Sequence, residues 1–90
     1  MVVSAQVMNR EDLLQRITVD PRVCHGQPCI RGLRIMVHQV LDLLAEGVPP
    51  EEVIEKDFPD LTLEDIRAAI AYANQLVKNE EIYVYPAQPG

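Results

Sequence analysis

The chain contains no tryptophan, one phenylalanine and three tyrosines. Its core must therefore be built from Leu, Ile, Val and Ala, a palette that suits packed helices. No stretch approaches the run of about twenty apolar residues that spans a bilayer. The opening "MVVSAQVMNRED" has no basic n-region and no long apolar stretch, so it does not read as a secretory signal. Cysteine occurs twice. Without an export signal, both are expected as free thiols in a reducing cytoplasm. Repeats and low-complexity segments are also missing.

What is present fits one small domain of 90 residues. The net charge of −6 is unevenly spread. Residues 10–34 carry five arginines against three acids, a balance of +2, whereas residues 35–90 carry eleven acids against three bases, a balance of −8. The acidic part should repel phosphate and attract basic proteins; the front part tolerates phosphate.

Local patterns give the elements. Residues 1–8 are apolar without periodicity and read as an arm. "NREDLLQR" reads as a short helix capped by Asn9, with Leu13 and Leu14 inward. "ITVD" reads as a strand stopped at Pro21, and "CIRGLRI" as a second extended stretch with a bulge or close backbone approach at Gly32. Val37, Val40, Leu41, Leu44 and Val48 form one apolar helical stripe, and Gly47 can end that helix. "PPEEVIEKDF" starts a short helix with Val53, Ile54 and Phe58 inward, stopped by Pro59. The last helix opens on Thr62 with Asp65 three residues on, a variant of the capping box. Its expected buried face is Ile66, Ala69, Ile70, Ala73, Leu76 and Val77. The fold class is therefore mainly α: a tri-helical, helix-turn-helix type bundle with a small N-terminal β ribbon. Residues 1–16 form the arm and first helix, 17–36 the ribbon, 37–78 the three-helix bundle and 79–90 a C-terminal tail.

The candidate sites each have a plain alternative. Cys24, His25, Cys29 and His38 lack the second ligand pair that zinc sites use, so no metal or cofactor is assigned. The two thiols are expected instead to face each other across a two-residue turn at Gly26-Gln27. Cys24 and His25 are adjacent only in sequence, and no catalytic residue is assigned. The last helix begins with carboxylates, which suits phosphate poorly. Arg22, Arg31 and Arg34 on the ribbon are the better candidates for DNA, the alternative being ion pairs of Arg31 and Arg34 with acids such as Asp20 or Asp42. Glu80, Glu81, Ile82, Tyr83 and Tyr85 combine charge with aromatics, which suits ordering on a protein surface; the alternative is an edge strand through Ile82 and Val84. A homodimer is expected from apolar β-prone surface in "MVVSAQV" and the ribbon.

The ordered series Asp20-Pro21, Gly26-Gln27-Pro28, Ile30-Arg31-Gly32-Leu33-Arg34-Ile35, Gly47 and Phe58-Pro59-Asp60-Leu61-Thr62 resembles the signature of the bacterial family called domain of unknown function 433. The likeness covers residues 17 to about 75. The sequence departs from it at His25, where Gly is usual, at Gln27, where Lys is usual, and at Leu33, where Thr is usual. The resemblance implies a homeodomain-like fold and a non-enzymatic, antitoxin-like component. Such a component would bind a PIN-like nuclease toxin and could also bind its own operator DNA. The competing expectation is a protein-interaction or regulatory module without a DNA role.

Overall fold

A computed structural model describes residues 9–87, with side-chain surroundings described through residue 78. The expected arm at residues 1–8 lies outside the described residues. Helix α1 (Arg10–Leu14) is capped by Asn9, whose side chain accepts the backbone N–H of Asp12 at 2.9 Å. Strand β1 (Ile17–Thr18) pairs antiparallel with β2 (Cys29–Ile30), Ile17 opposite Ile30 and Thr18 opposite Cys29. Then come α2 (Val37–Ala45), the short α3 (Pro50–Glu52) continuing as a π-helical turn over Val53–Asp57, and α4 (Leu63–Ala87). The architecture is a mainly helical bundle with a two-stranded ribbon. Helix α4 is the long element against which α1 and α2 both pack.

The turn residues explain how so short a chain folds back repeatedly. Asp20 accepts the backbone N–H of Val23 on its carbonyl and that of Arg22 on its carboxylate, with Pro21 between them. Ile30 to Leu33 closes a second turn, in which Gly32 has φ +84. No atom lies within 4 Å of where a Cβ would stand on Gly32. The expected bulge or close approach is thus replaced by a turn that needs left-handed backbone. Gly47 (φ +97) ends α2, with its N–H bonding Leu44 and that of Val48 bonding Leu43, the paired pattern of a Schellman terminus. Phe58 to Leu61 turns around Pro59 into the cap of α4.

That cap is the junction of the fold. Thr62 Oγ1 accepts the N–H of Asp65 at 3.1 Å, and Asp65 Oδ2 accepts the N–H of Thr62 at 3.0 Å. Asp65, the one buried charged side chain among the described residues, also takes Arg16 Nη1 on Oδ1 at 2.9 Å. The core beside it comprises Ile17, Ile30, Val37, Val40, Val53, Leu61, Ile66, Ala68 and Ala69, with Leu13, Leu41, Leu44, Ile54 and Phe58 packed around it.

Two expectations are corrected along α4. Ile66 and Ala69 are buried, but Ile70, Leu76 and Val77 are 49%, 42% and 55% exposed, since α1 and α2 cover a narrower face than the apolar residues span. The backbone of residues 79–87 continues α4, so the edge strand through Ile82 and Val84 does not form. The surroundings of Glu80, Glu81, Ile82, Tyr83 and Tyr85 lie outside the described residues.

Thr62→Ala should cost about 1 kcal/mol, the usual value of an N-cap. Asp65→Ala should cost about 2–4 kcal/mol, because it removes the reciprocal cap and strands Arg16. Denaturant midpoints check this; equal losses at the two positions would contradict the tie to Arg16. Gly32→Val should cost about 1–3 kcal/mol through its positive φ. Gly32→Asn, which tolerates that conformation better, should lose less.

Candidate functional site

The ribbon arginines meet three different surroundings. Arg22 closes a two-pronged pair on Asp20, with Nε to Oδ1 and Nη2 to Oδ2 both at 3.1 Å. The Arg22 guanidinium, helped by the Arg22 backbone N–H, holds the Asp20 carboxyl below its ordinary range. Arg31 donates from Nε to the carbonyl of Gln15 at 2.8 Å and from Nη2 to that of Ile17 at 3.3 Å, tying the exit of α1 to the ribbon. Arg34, at φ +58, is exposed and makes no hydrogen bond or ion pair among the described residues. The alternative of ion pairs from Arg31 and Arg34 to Asp20 or Asp42 is corrected. Asp20 is taken by Arg22, and Asp42 lies 3.5 Å from His38 Nδ1.

The two thiols are neighbours by a different route from the expected one. Cys29 pairs with Thr18 across the ribbon and bridges to Met36, while Cys24 opens a 3-10 turn over Cys24–Gly26. The two-residue hairpin at Gly26-Gln27 is absent because strand pairing begins before Asp20-Pro21, not at Cys24. Cys24 and His25 take φ +52 and +55, conformations that L residues hold at some cost. The glycine expected at position 25 matches that geometry. Both cysteines are free, Cys29 buried and Cys24 partly so. Burial, then the adjoining Cys24, pushes the Cys29 thiol up to about 11. Among the described residues no three His, Cys, Asp or Glu side chains are grouped to hold a metal ion.

Two concavities lie among the described residues. One, of about 400 Å³, is lined by Asp12, Gln15, Arg16, Arg31 and Asp65. Its two guanidiniums are balanced by two carboxylates and already bonded within the chain, so it is the wet side of the α4 cap. The other, about 250 Å³, is an apolar groove between α2 and α4, walled by Pro28, Val37, Leu41, Tyr72, Ala73 and Leu76 with Gln27 and His38 at its rim. Reading the sequence missed this groove. Its signal is the excess width of the apolar faces on α2 and α4, which together exceed what one contact between two helices can cover. No described helix is long and apolar enough to cross a membrane.

The family model for a protein of unknown function, DUF433, matches residues 17–73, and the chain belongs to that family. A crystal structure of a DUF433 member protein from Anabaena variabilis ATCC 29413 is similar at a TM-score of 0.64 and 33% identity. The similarity covers 90% of this chain and 80% of that one. No curated protein matches.

The geometry around the thiols sets a pH dependence. A raised thiol pKa in the folded state means that its stabilisation is complete below the ordinary value of 9.0 and is lost as pH rises toward about 11. Urea midpoints should therefore fall across that window, and fall less in Cys29→Ala. A disulfide-based thiol reagent at pH 8 should label Cys24 well before Cys29. Equal labelling rates in the native protein would contradict the burial of Cys29.

Proposed function

We propose that this chain works by binding, as the antitoxin-like partner of a PIN-like nuclease toxin, and that it has no catalytic activity of its own. The observation that carries this reading is the open apolar groove between α2 and α4, set in the strongly acidic part of the chain. A groove of this kind accepts an amphipathic helix, and the net negative charge of residues 35–90 favours a basic one. Nucleases bind phosphate and are basic there, so the same charge that suits the partner repels nucleic acid from the body.

The DNA-binding component receives less support. In a helix-turn-helix use, the start of α4 would enter the groove, yet it presents Asp60 and Glu64 beside the internally paired Asp65. Arg22 and Arg31 are engaged within the chain, which leaves Arg34 as the ribbon cation open to a phosphate. The protein-interaction role without DNA is therefore the better supported of the two.

Co-expression with a PIN-like nuclease encoded beside this chain tests the proposal. The two should co-purify, and growth arrest by the nuclease should be relieved. Leu76→Asp, on the exposed α4 wall of the groove, should weaken capture by about tenfold or more, as a lost interface anchor does. Truncation after Asn79 measures the share of Glu80, Glu81, Ile82, Tyr83 and Tyr85. Failure to co-purify with any such nuclease would sink the reading. Binding of operator DNA that weakens steeply with salt and disappears in Arg34→Ala would restore the DNA role.

A further inference from the structure

Helix α4 carries a second apolar feature, separate from the groove. Leu63, Ile70 and Val77 stand at successive intervals of seven and are 43%, 49% and 55% exposed. Seven residues fall only about 20° short of two full turns, so the three side chains form one stripe along the helix. Of the groove's α4 residues, Tyr72 and Leu76 lie roughly 100° or more around the helix from that stripe, with the small Ala73 between. The stripe is the seam pattern of paired helices, with the partner missing.

Charges beside the stripe indicate what covers it. Glu64 and Lys78 project from one flank of α4, about 40° apart around the axis. Neither has a hydrogen bond or ion pair among the described residues. We infer that the stripe packs against the same stripe of a second copy, with the two α4 helices antiparallel and Ile70 near the two-fold axis. Leu63 of one copy then lies opposite Val77 of the other. A two-fold axis between antiparallel helices sets each flank against its own copy. Glu64 of one copy comes level with Lys78 of the other, within about 3 Å along the axis, and symmetry makes two such pairs. In a parallel arrangement the two-fold runs along the helices and turns this flank to the opposite side of the seam in the other copy, so Glu64 and Lys78 would find no such partner. The antiparallel helix dipoles favour the same choice. Self-association thereby moves from the N-terminal segment and ribbon, where sequence alone had placed it, to α4.

Sedimentation velocity on the full chain tests this without any toxin, so its outcome is independent of the proposed function. The protein should be a dimer at micromolar concentration. Ile70→Glu should make it monomeric with its circular dichroism and melting retained, since Ile70 is half exposed and outside the core. Glu64→Lys and Lys78→Glu should each raise the dissociation constant by about threefold to tenfold, and the two together should recover the dimer. A monomeric wild type would overturn the inference, as would a dimer indifferent to Ile70→Glu or a double exchange no better than the single ones. A monomer that loses capture of the nuclease on Ile70→Glu would assign the stripe to the heterologous partner instead.

Discussion

The carboxylate of Asp65 is where three parts of this small fold meet. One oxygen closes the N-terminus of α4 by accepting from Thr62, and the other holds Arg16 at the junction of α1 and β1. A charge this buried is costly unless each oxygen is bonded, and here each oxygen is. The consequence is directional: α4 cannot start one residue earlier or later without breaking both contacts. Arg16 in turn offers its carbonyl to the backbone N–H of Arg31, and Arg31 ties back to the carbonyls of Gln15 and Ile17. The helix cap, the ribbon and the first helix therefore form one polar network.

This network explains why an acidic protein concentrates arginine in a turn-rich segment. Residues 20–37 change direction several times, and five of them, Cys24, His25, Gly26, Gly32 and Arg34, hold positive φ. Such a segment has few ladder hydrogen bonds of its own and needs side chains that bond carbonyls and carboxylates across gaps. Arginine does so with a planar fork of donors. Arg22 on Asp20 and Arg31 on two carbonyls are instances. The local positive balance is thus largely a product of fastening the connection, and the acids of the helical part described through residue 78, Asp65 apart, stay at least partly exposed.

What could be read in advance follows the range of the interactions. The Asn9 cap, the reciprocal Thr62–Asp65 cap and the Gly47 terminus each involve residues within a few positions, and the residue types announce them. The link from Arg16 to Asp65 spans forty-nine positions and carries no local signal. The same limit explains the thiols. A turn at Gly26-Gln27 is a sound local guess, but Ile17 prefers the buried place opposite Ile30, and that pairing sets the register. Gly32 was legible as special, though its reason lies in its own φ and not in a neighbour. On α4, periodicity identifies the apolar residues but not their cover. Ile66 and Ala69 found α1, α2 and the core, whereas Ile70 and Val77 found nothing within the described residues.

The candidate surfaces were the least legible part, because both arise from that surplus. A ninety-residue chain with a core of Val, Ile, Leu and Ala buries a modest share of its surface. If α4 existed only to complete the bundle, polar residues at 63, 70, 76 and 77 would cost nothing and would improve solubility. Instead the apolar band of α4 extends past both neighbours, toward α2 on one side and into solvent on the other. The groove has depth and a wall from α2, which suits a single inserted helix. The stripe is convex and straight, which suits a second helix laid alongside. Two surfaces of different shape on one helix would let the proposed self-pairing and partner binding proceed together, and the capped end at Asp65 fixes where α4 begins for both.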